Sequence, residues 1–286
     1  MSEKMLFNKA YVEITNVCNL NCSFCKGTDR KKEFMTVENF STAAQKTRKV
    51  TEYIYLHLLG EPTLHPNLDE ILAICQKLDF KVIVTTNGTL LDKVKDILLE
   101  SKALHKVNIS LHALEANSGI DFDKYLDSCF DFGKKLWEKD KICVFRLWNG
   151  DKEEKYDENK LNARIIAALR QNFPEEWQEN TKGYRIKNKL FLEFAERFEW
   201  REQGDCGGKI NCYGLRDQIG VLVDGTVVPC CIDCDGVIKL GNVFEDDIFD
   251  IINSPLAKSI CEGFRNGKAV HPYCKNCGFV RTRLKR

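Results

Sequence analysis

The sequence has almost no net charge, no long apolar run and no low-complexity tract. Its 286 residues hold 43 Lys and Arg against 42 Asp and Glu, a formal net charge of +1. So even a balance sets up no field of one sign, which argues against nucleic acid or an anionic membrane as partner. No stretch approaches the ~18 consecutive apolar residues of a membrane span. The opening residues, MSEKMLFNKAYVEI, contain no apolar run of signal-peptide length. These absences predict a cytoplasmic protein without membrane association. No internal repeat stands out beyond an alternation of strand-like and helix-like segments. Apolar residues make up 43% of the chain, enough for one large α/β domain or a main domain with a small appendage.

Cysteine, by contrast, is abundant, at 14 residues. In a reducing compartment structural disulfides are rare. Cys75, Cys129 and Cys143 lie inside apolar periodic segments and read as small packing residues. Most of the others cluster towards the two ends of the chain at short fixed spacings. Clustered thiols in a cytosolic protein point to metal.

Strand-like segments are expected at residues 11–15, 53–59, 81–86, 106–111, 142–148 and 190–194. Helix-like segments lie between them at 36–49, 67–78, 92–100, 121–139 and 159–172, the first opening on a capping box at Thr36. Strict β/α alternation argues for a parallel sheet with right-handed crossovers. Six strands are too few for a closed eight-strand barrel, so the expected fold is α/β, a partial (β/α)6 TIM-like barrel. Residues 150–156 are polar and read as a loop, and 173–189 as an irregular insertion. The composition changes after Trp200, which predicts a main domain over 1–200 and a small Cys-rich domain over 201–286. In the latter, IGVLVDGTVVPCC reads as a hairpin turning at Asp224–Gly225, and SPLAKSICEGF as a helix.

CNLNCSFC sets Cys18, Cys22 and Cys25 at C-x3-C-x2-C on the loop leaving the first strand. In β/α barrels that rim carries the chemistry. Three thiolates can hold three irons of a [4Fe–4S] cluster and leave the fourth open to a small molecule; a zinc site completed by a residue elsewhere is the alternative. The spacing, with Phe24 before the third cysteine, resembles the radical S-adenosylmethionine (SAM) superfamily. That resemblance implies that the open iron chelates SAM, whose reductive cleavage gives a 5′-deoxyadenosyl radical. It also implies that Phe24 packs near adenine. Gly60, Glu61 and Pro62 match the family's GGEP-type motif, which supports the SAM amino group; Leu59 stands where that motif has its first glycine. Asn87 closes the third strand at the rim. Ser110 and Arg146, on the fourth and fifth strands, match positions that contact the SAM ribose or carboxylate in relatives.

Near the C-terminus, Cys212 is followed after twelve residues by Gly225, after four more by Cys230, and later by Cys274 and Cys277 at C-x2-C. This resembles the first half of the SPASM motif and, with no further cysteine after it, the shorter twitch domain, whose members include inosamine dehydrogenases. The resemblance implies one auxiliary [4Fe–4S] cluster on Cys212, Cys230, Cys274 and Cys277. A four-cysteine zinc site fits the same spacing. Cys206 is placed to replace one of these ligands. Cys231 and Cys234, in CIDC, are expected either to act catalytically, as hydrogen-atom donors, or to pack beside the cluster. Cys261 remains unassigned.

The implied activity is a radical SAM oxidoreductase or epimerase acting on a small molecule or short peptide. It would draw electrons from a donor such as flavodoxin or ferredoxin. The absence of a preceding winged-helix module leans towards a small or short substrate. His57, His112 and Glu193 are candidate bases or substrate contacts, and Trp148 a pocket wall. The alternatives are a ribosomal-peptide maturase that forms cross-links and, in a different class, a non-catalytic Fe–S or zinc-binding protein. The basic tail RTRLKR is the one feature that favours phosphate contact.

Overall fold

The computed structural model describes residues 6–117, 119–150, 159–197, 200 and 210–280. Cys206, the tail from 281 and all but the first residue of the expected 150–156 loop lie outside them. Strand β1 (Lys9–Val12) is followed by α1 (Val37–Arg48), β2 (Tyr53–Tyr55), α2 (Leu68–Lys77), β3 (Lys81–Thr86), α3 (Leu91–Glu100) and β4 (Leu104–Ser110). Next come α4 (Phe122–Glu138), β5 (Ile142–Gly150), α5 (Lys160–Asn172), β6 (Gln178–Asn180), β7 (Gly183–Lys187) and β8 (Leu190–Glu196). The C-terminal part adds β9 (Gln218–Val221), β10 (Thr226–Val228), β11 (Gly241–Asn242), α6 (Ile248–Ile252), α7 (Pro255–Arg265) and α8 (Pro272–Lys275).

Strands β1, β2, β3, β4, β5 and β8 are neighbours in that order and all parallel. The six-strand alternation expected from sequence is therefore present in a sheet that does not close. The helices start where local chemistry predicts. Thr36 accepts a hydrogen bond from the Asn39 amide at the start of α1, and Asp121 accepts from the Lys124 amide at α4. Two element boundaries differ from expectation. Strands β1 and β2 leave the ladder early, at Val12 and Tyr55, because residues 13–17 and 57–61 turn towards each other to build the rim. The insertion expected to be irregular is a hairpin, β6–β7, whose second strand pairs antiparallel with β8. Its strands are short and polar and β6 is exposed throughout, so they carry no apolar alternation for a sequence to display.

The C-terminal strands join the same sheet. β9 runs parallel to β1 over Lys9↔Gln218 to Val12↔Val221, then β10 and β11 follow antiparallel. Gly225, at φ +85°, makes the β9–β10 turn. A side chain there would meet Asn242 Oδ1 at 2.4 Å.

Strand alternation divides the interior into two cores. The larger lies between sheet and helices and includes Phe40, Ile54, Leu98, Phe130 and Phe145. The smaller, on the opposite face, joins Tyr11 and Leu58 to Leu222 and Val228, with Tyr55 and Cys231 packed against it. This inner core binds the first two barrel strands to the C-terminal hairpin. Among the described residues no helix is long and apolar enough to cross a membrane.

Candidate active site

The three-cysteine loop is held by the loops after β1, β2 and β3. Gly60 sits at φ +75°, and a Cβ there would lie 2.3 Å from the Thr15 carbonyl oxygen, so the close approach requires glycine. The next amide, Glu61 N–H, donates to the Val17 carbonyl at 2.8 Å, one residue before Cys18. The buried Glu61 carboxylate accepts from the Thr63 hydroxyl at 2.6 Å, the Thr63 amide at 3.1 Å and the Asn87 amide at 2.7 Å. Its side chain thus serves as internal scaffolding, tying the β2 loop to the β3 loop. Pro62 is buried at the first position of a short 3-10 turn. Asn87 turns its amide to Asn19 Oδ1 at 2.9 Å and to the Cys18 sulfur at 3.9 Å, and Tyr125 fixes its carbonyl at 2.7 Å.

Around this frame Cys18 and Cys25 are exposed and Cys22 partly so. The Leu20 amide donates to Cys18 Sγ and the Gly27 amide to Cys25 Sγ, each at 3.5 Å, while Asn117 Nδ2 reaches Cys22 Sγ at 3.6 Å. Desolvation pushes the Cys18 and Cys22 thiols up. Phe24 packs 5.0 Å from the His112 ring, centroid to centroid, and its carbonyl accepts from the Trp200 indole. The His112 Nδ1 lies 3.1 Å from the Arg146 carbonyl, and burial pushes the ring down to about 4. His57, against Tyr11 and Tyr55, is pushed down to about 3 by burial and then by Arg146 and Lys9. Both imidazoles are therefore neutral at pH 7 and weak as bases. Ser110 pairs with Arg146, and Arg146 with Glu193, across the sheet. Trp148 is exposed at the rim, with the Arg146 guanidinium 4.0 Å above its ring.

Cys212, Cys230, Cys274 and Cys277 line one cavity of about 20 Å³, with apolar walls that include Ile210, Ile232, Phe264 and Val280. Four thiols on one dry cavity are a donor set that fits an iron–sulfur cluster, as the three thiols of the rim fit one with an open iron. Among the described residues no group of three or more His, Cys, Asp or Glu is gathered to hold a single metal ion. Cys231, the residue after Cys230, belongs instead to the inner barrel core and pairs with the Tyr11 hydroxyl. Cys234 is buried elsewhere, beneath the rim loop, and burial pushes its thiol up to about 11. Cys261 donates to the Leu215 carbonyl at 3.3 Å from α7.

Sequence reading missed the residues that join the two thiol sets. Glu13 is fully buried and accepts two hydrogen bonds from Arg30, at 2.8 and 2.7 Å. It also accepts from the Leu59 amide at 3.2 Å and the Val223 amide at 3.1 Å. Arg30 Nε donates to the Cys234 carbonyl at 2.9 Å, while Thr28 and Lys26 both bond Asp235. The rim loop is thus bolted to the segment that follows Cys230. A carboxylate in the middle of the apolar run YVEIT was the available signal.

A family model described as the radical SAM superfamily matches residues 12–155, just over half of the chain. One described as an iron–sulfur cluster-binding domain, SPASM, matches residues 212–278. A GTP 3′,8-cyclase of Microcystis aeruginosa is 27% identical over 197 residues, which are 65% of this chain and 54% of the relative. The chain thus spans about half the length of that curated relative. The structure of BtrN with AdoMet and 2-DOIA is 19% identical with a TM-score of 0.63, covering 96% of this chain and 94% of BtrN. Streptococcus suis SuiB bound to its precursor peptide SuiA is 18% identical with a TM-score of 0.58, over 96% and 71%. At these identities the solved structures establish the fold. The two family models bring with them SAM, a SAM-binding [4Fe–4S] cluster and auxiliary iron–sulfur binding.

Proposed function

The chain belongs to the radical SAM superfamily, and from that premise we propose that it oxidises or epimerises a small molecule or short peptide inside the barrel. The observation that carries this reading is the convergence of the β1, β2 and β3 loops on one rim around Cys18, Cys22 and Cys25. When bound, SAM and the clusters supply a 5′-deoxyadenosyl radical and a store for single electrons.

The chain's own residues divide the remaining work. Cys18, Cys22 and Cys25 bind three irons and leave one for SAM. Phe24 packs on adenine; the backbone of Gly60, Glu61 and Pro62 receives the SAM amino group, and Asn87 and Ser110 offer polar contacts at the rim. Cys212, Cys230, Cys274 and Cys277 hold the auxiliary cluster. Cys230 and Cys231 are adjacent, so one peptide unit separates the four-thiol cavity from the barrel interior. In an oxidation the substrate carbon loses a hydrogen atom, its hydroxyl loses a proton to a base, and one electron passes towards that cavity. In an epimerisation the Cys231 S–H gives a hydrogen atom to the carbon radical. The thiyl radical then regains an electron from the external donor, a flavodoxin or ferredoxin, and a proton from solvent. Cys234, under the rim loop, is less suited to that task.

A second reading, capture of the carbon radical to close a ring or cross-link, is favoured by the GTP 3′,8-cyclase relative and by the peptide-bound SuiB neighbour. Both readings share their first step. Anaerobically reconstituted protein given SAM and a reductant is expected to form 5′-deoxyadenosine, and Cys18→Ala is expected to form none. Intact SAM after incubation with fully reconstituted wild-type protein would sink both.

A further inference from the structure

We propose that the barrel interior beneath the rim is an oxyanion-binding site, in which Arg146, Lys9 and Lys106 take up a carboxylate or phosphate carried by the substrate. Calling the ligand a substrate rests on the radical SAM reading; the site itself rests on unmatched charge.

Strand alternation turns Cys143, Phe145 and Leu147 into the outer core and leaves Arg146 on the inner face. Its Nε is shielded from solvent and has no hydrogen-bond partner. Glu193 sits opposite it in the β5–β8 register, yet Arg146 makes no ion pair among the described residues. Stacking on Trp148 leaves the in-plane edge of the guanidinium available, the edge that grips an oxyanion with two parallel N–H groups.

Two further cations approach from neighbouring strands. Lys9 Nζ lies 5.5 Å from the centre of the Tyr11 ring and 5.3 Å from that of Tyr55, a pair of π faces in place of a carboxylate. Lys106 shares the inner face of β4 with Ser110 and lies close enough to Arg146 for their charges to oppose one another. His57 Nδ1, also buried without a partner, adds a neutral donor or acceptor. Buried charge without a counter-charge is costly, and here three cations face one carboxylate. A ligand that brings negative charge relieves that imbalance when it binds. The side chain of Arg146 points among Lys9, Tyr11, Tyr55 and His57, whose electrostatic influence it shares, and away from the thiol loop. That direction favours the substrate over the SAM carboxylate expected from family resemblance.

The test is calorimetric titration of reconstituted, SAM-loaded protein with succinate, inorganic phosphate and GTP in separate arms. Saturable binding of at least one anion at one per chain is expected. Affinity should fall at least about tenfold in Arg146→Met and in Lys9→Met, while SAM affinity stays within about twofold. Arg146→Lys should recover part of the loss, since it keeps the charge without the fork. Preference for succinate marks a carboxylate site, and preference for phosphate or GTP a phosphate site. No saturable binding in any arm would overturn the proposal. So would an Arg146→Met protein that loses SAM affinity but keeps anion affinity. Failure of the radical SAM reading shows differently, as intact SAM in the wild-type protein alongside normal anion binding.

Discussion

Lys106 shows how one buried amine reports on its surroundings. Burial, then the Arg146 charge on β5, pushes it down to about 8, against the pull of Glu193 on β8 and with a smaller push from Lys182 and a pull from Cys143. Its folded pKa lies below the free value, so the associated stability is present above about 10.5 and lost as pH falls towards 8. The charge available to a ligand runs the other way. Succinate affinity is expected to weaken as pH rises from 7 to 9, and Lys106→Met to flatten that slope in the same titration. His57 behaves likewise at acid pH. Its folded value of about 3 lies below the usual 6.5, so the unfolded chain takes up a proton between these values that the folded chain refuses. Stability should fall as pH drops from 6.5 towards 4. The urea midpoint of His57→Gln should fall less steeply, because only His112 then titrates this way inside the barrel.

Among the elements, the junction at Glu13 carries more than any single strand pairing. It meets the rim loop through Arg30, the β2 loop through Leu59 and the C-terminal hairpin through Val223. Burial pushes the Glu13 carboxyl up, and Arg30 with the two amides pulls it back. Removing its charge leaves Arg30, whose side chain is 16% exposed, without its counter-ion. Glu13→Gln is therefore expected to cost about 3 kcal/mol of unfolding free energy. Asp235→Asn, which weakens a more exposed pair, should cost about 1 kcal/mol or less. Urea titration of the reconstituted protein compares the two, and equal losses would show that Glu13 is no keystone.

Across the whole molecule, one sheet of eleven strands places two thiol sets on either side of a single interior. The β9 strand continues the barrel sheet at β1, so the C-terminal region is a wall of the barrel as well as a container for thiols. Two separate four-iron sites predict about eight irons per reconstituted chain. Cys18→Ala and Cys230→Ala should each lose about four, and only the second should retain some SAM cleavage. About twelve irons would mean that Cys206, Cys231, Cys234 or Cys261 helps to hold a third cluster. A shared loss on either substitution would mean that one site depends on the other, as the Arg30–Cys234 and Lys26–Asp235 contacts allow.

The sequence by itself determined the sheet class, the alternation of six strands with five helices, and the two cysteine groups, because each is written locally. Strand and helix periods repeat every two and 3.6 residues, and C-x3-C-x2-C lies within eight residues on one loop. Only the tertiary structure decided which cysteines share a cavity and which way neighbours face. Cys230 turns into the four-thiol cavity and Cys231 into the barrel, although they are consecutive. It also decided that Glu13 reaches Arg30 and Val223, and that Arg146 is left without a counter-ion. Such pairings join residues up to 210 positions apart. Their energies depend on burial and on the absence of competing partners, which no window of sequence contains.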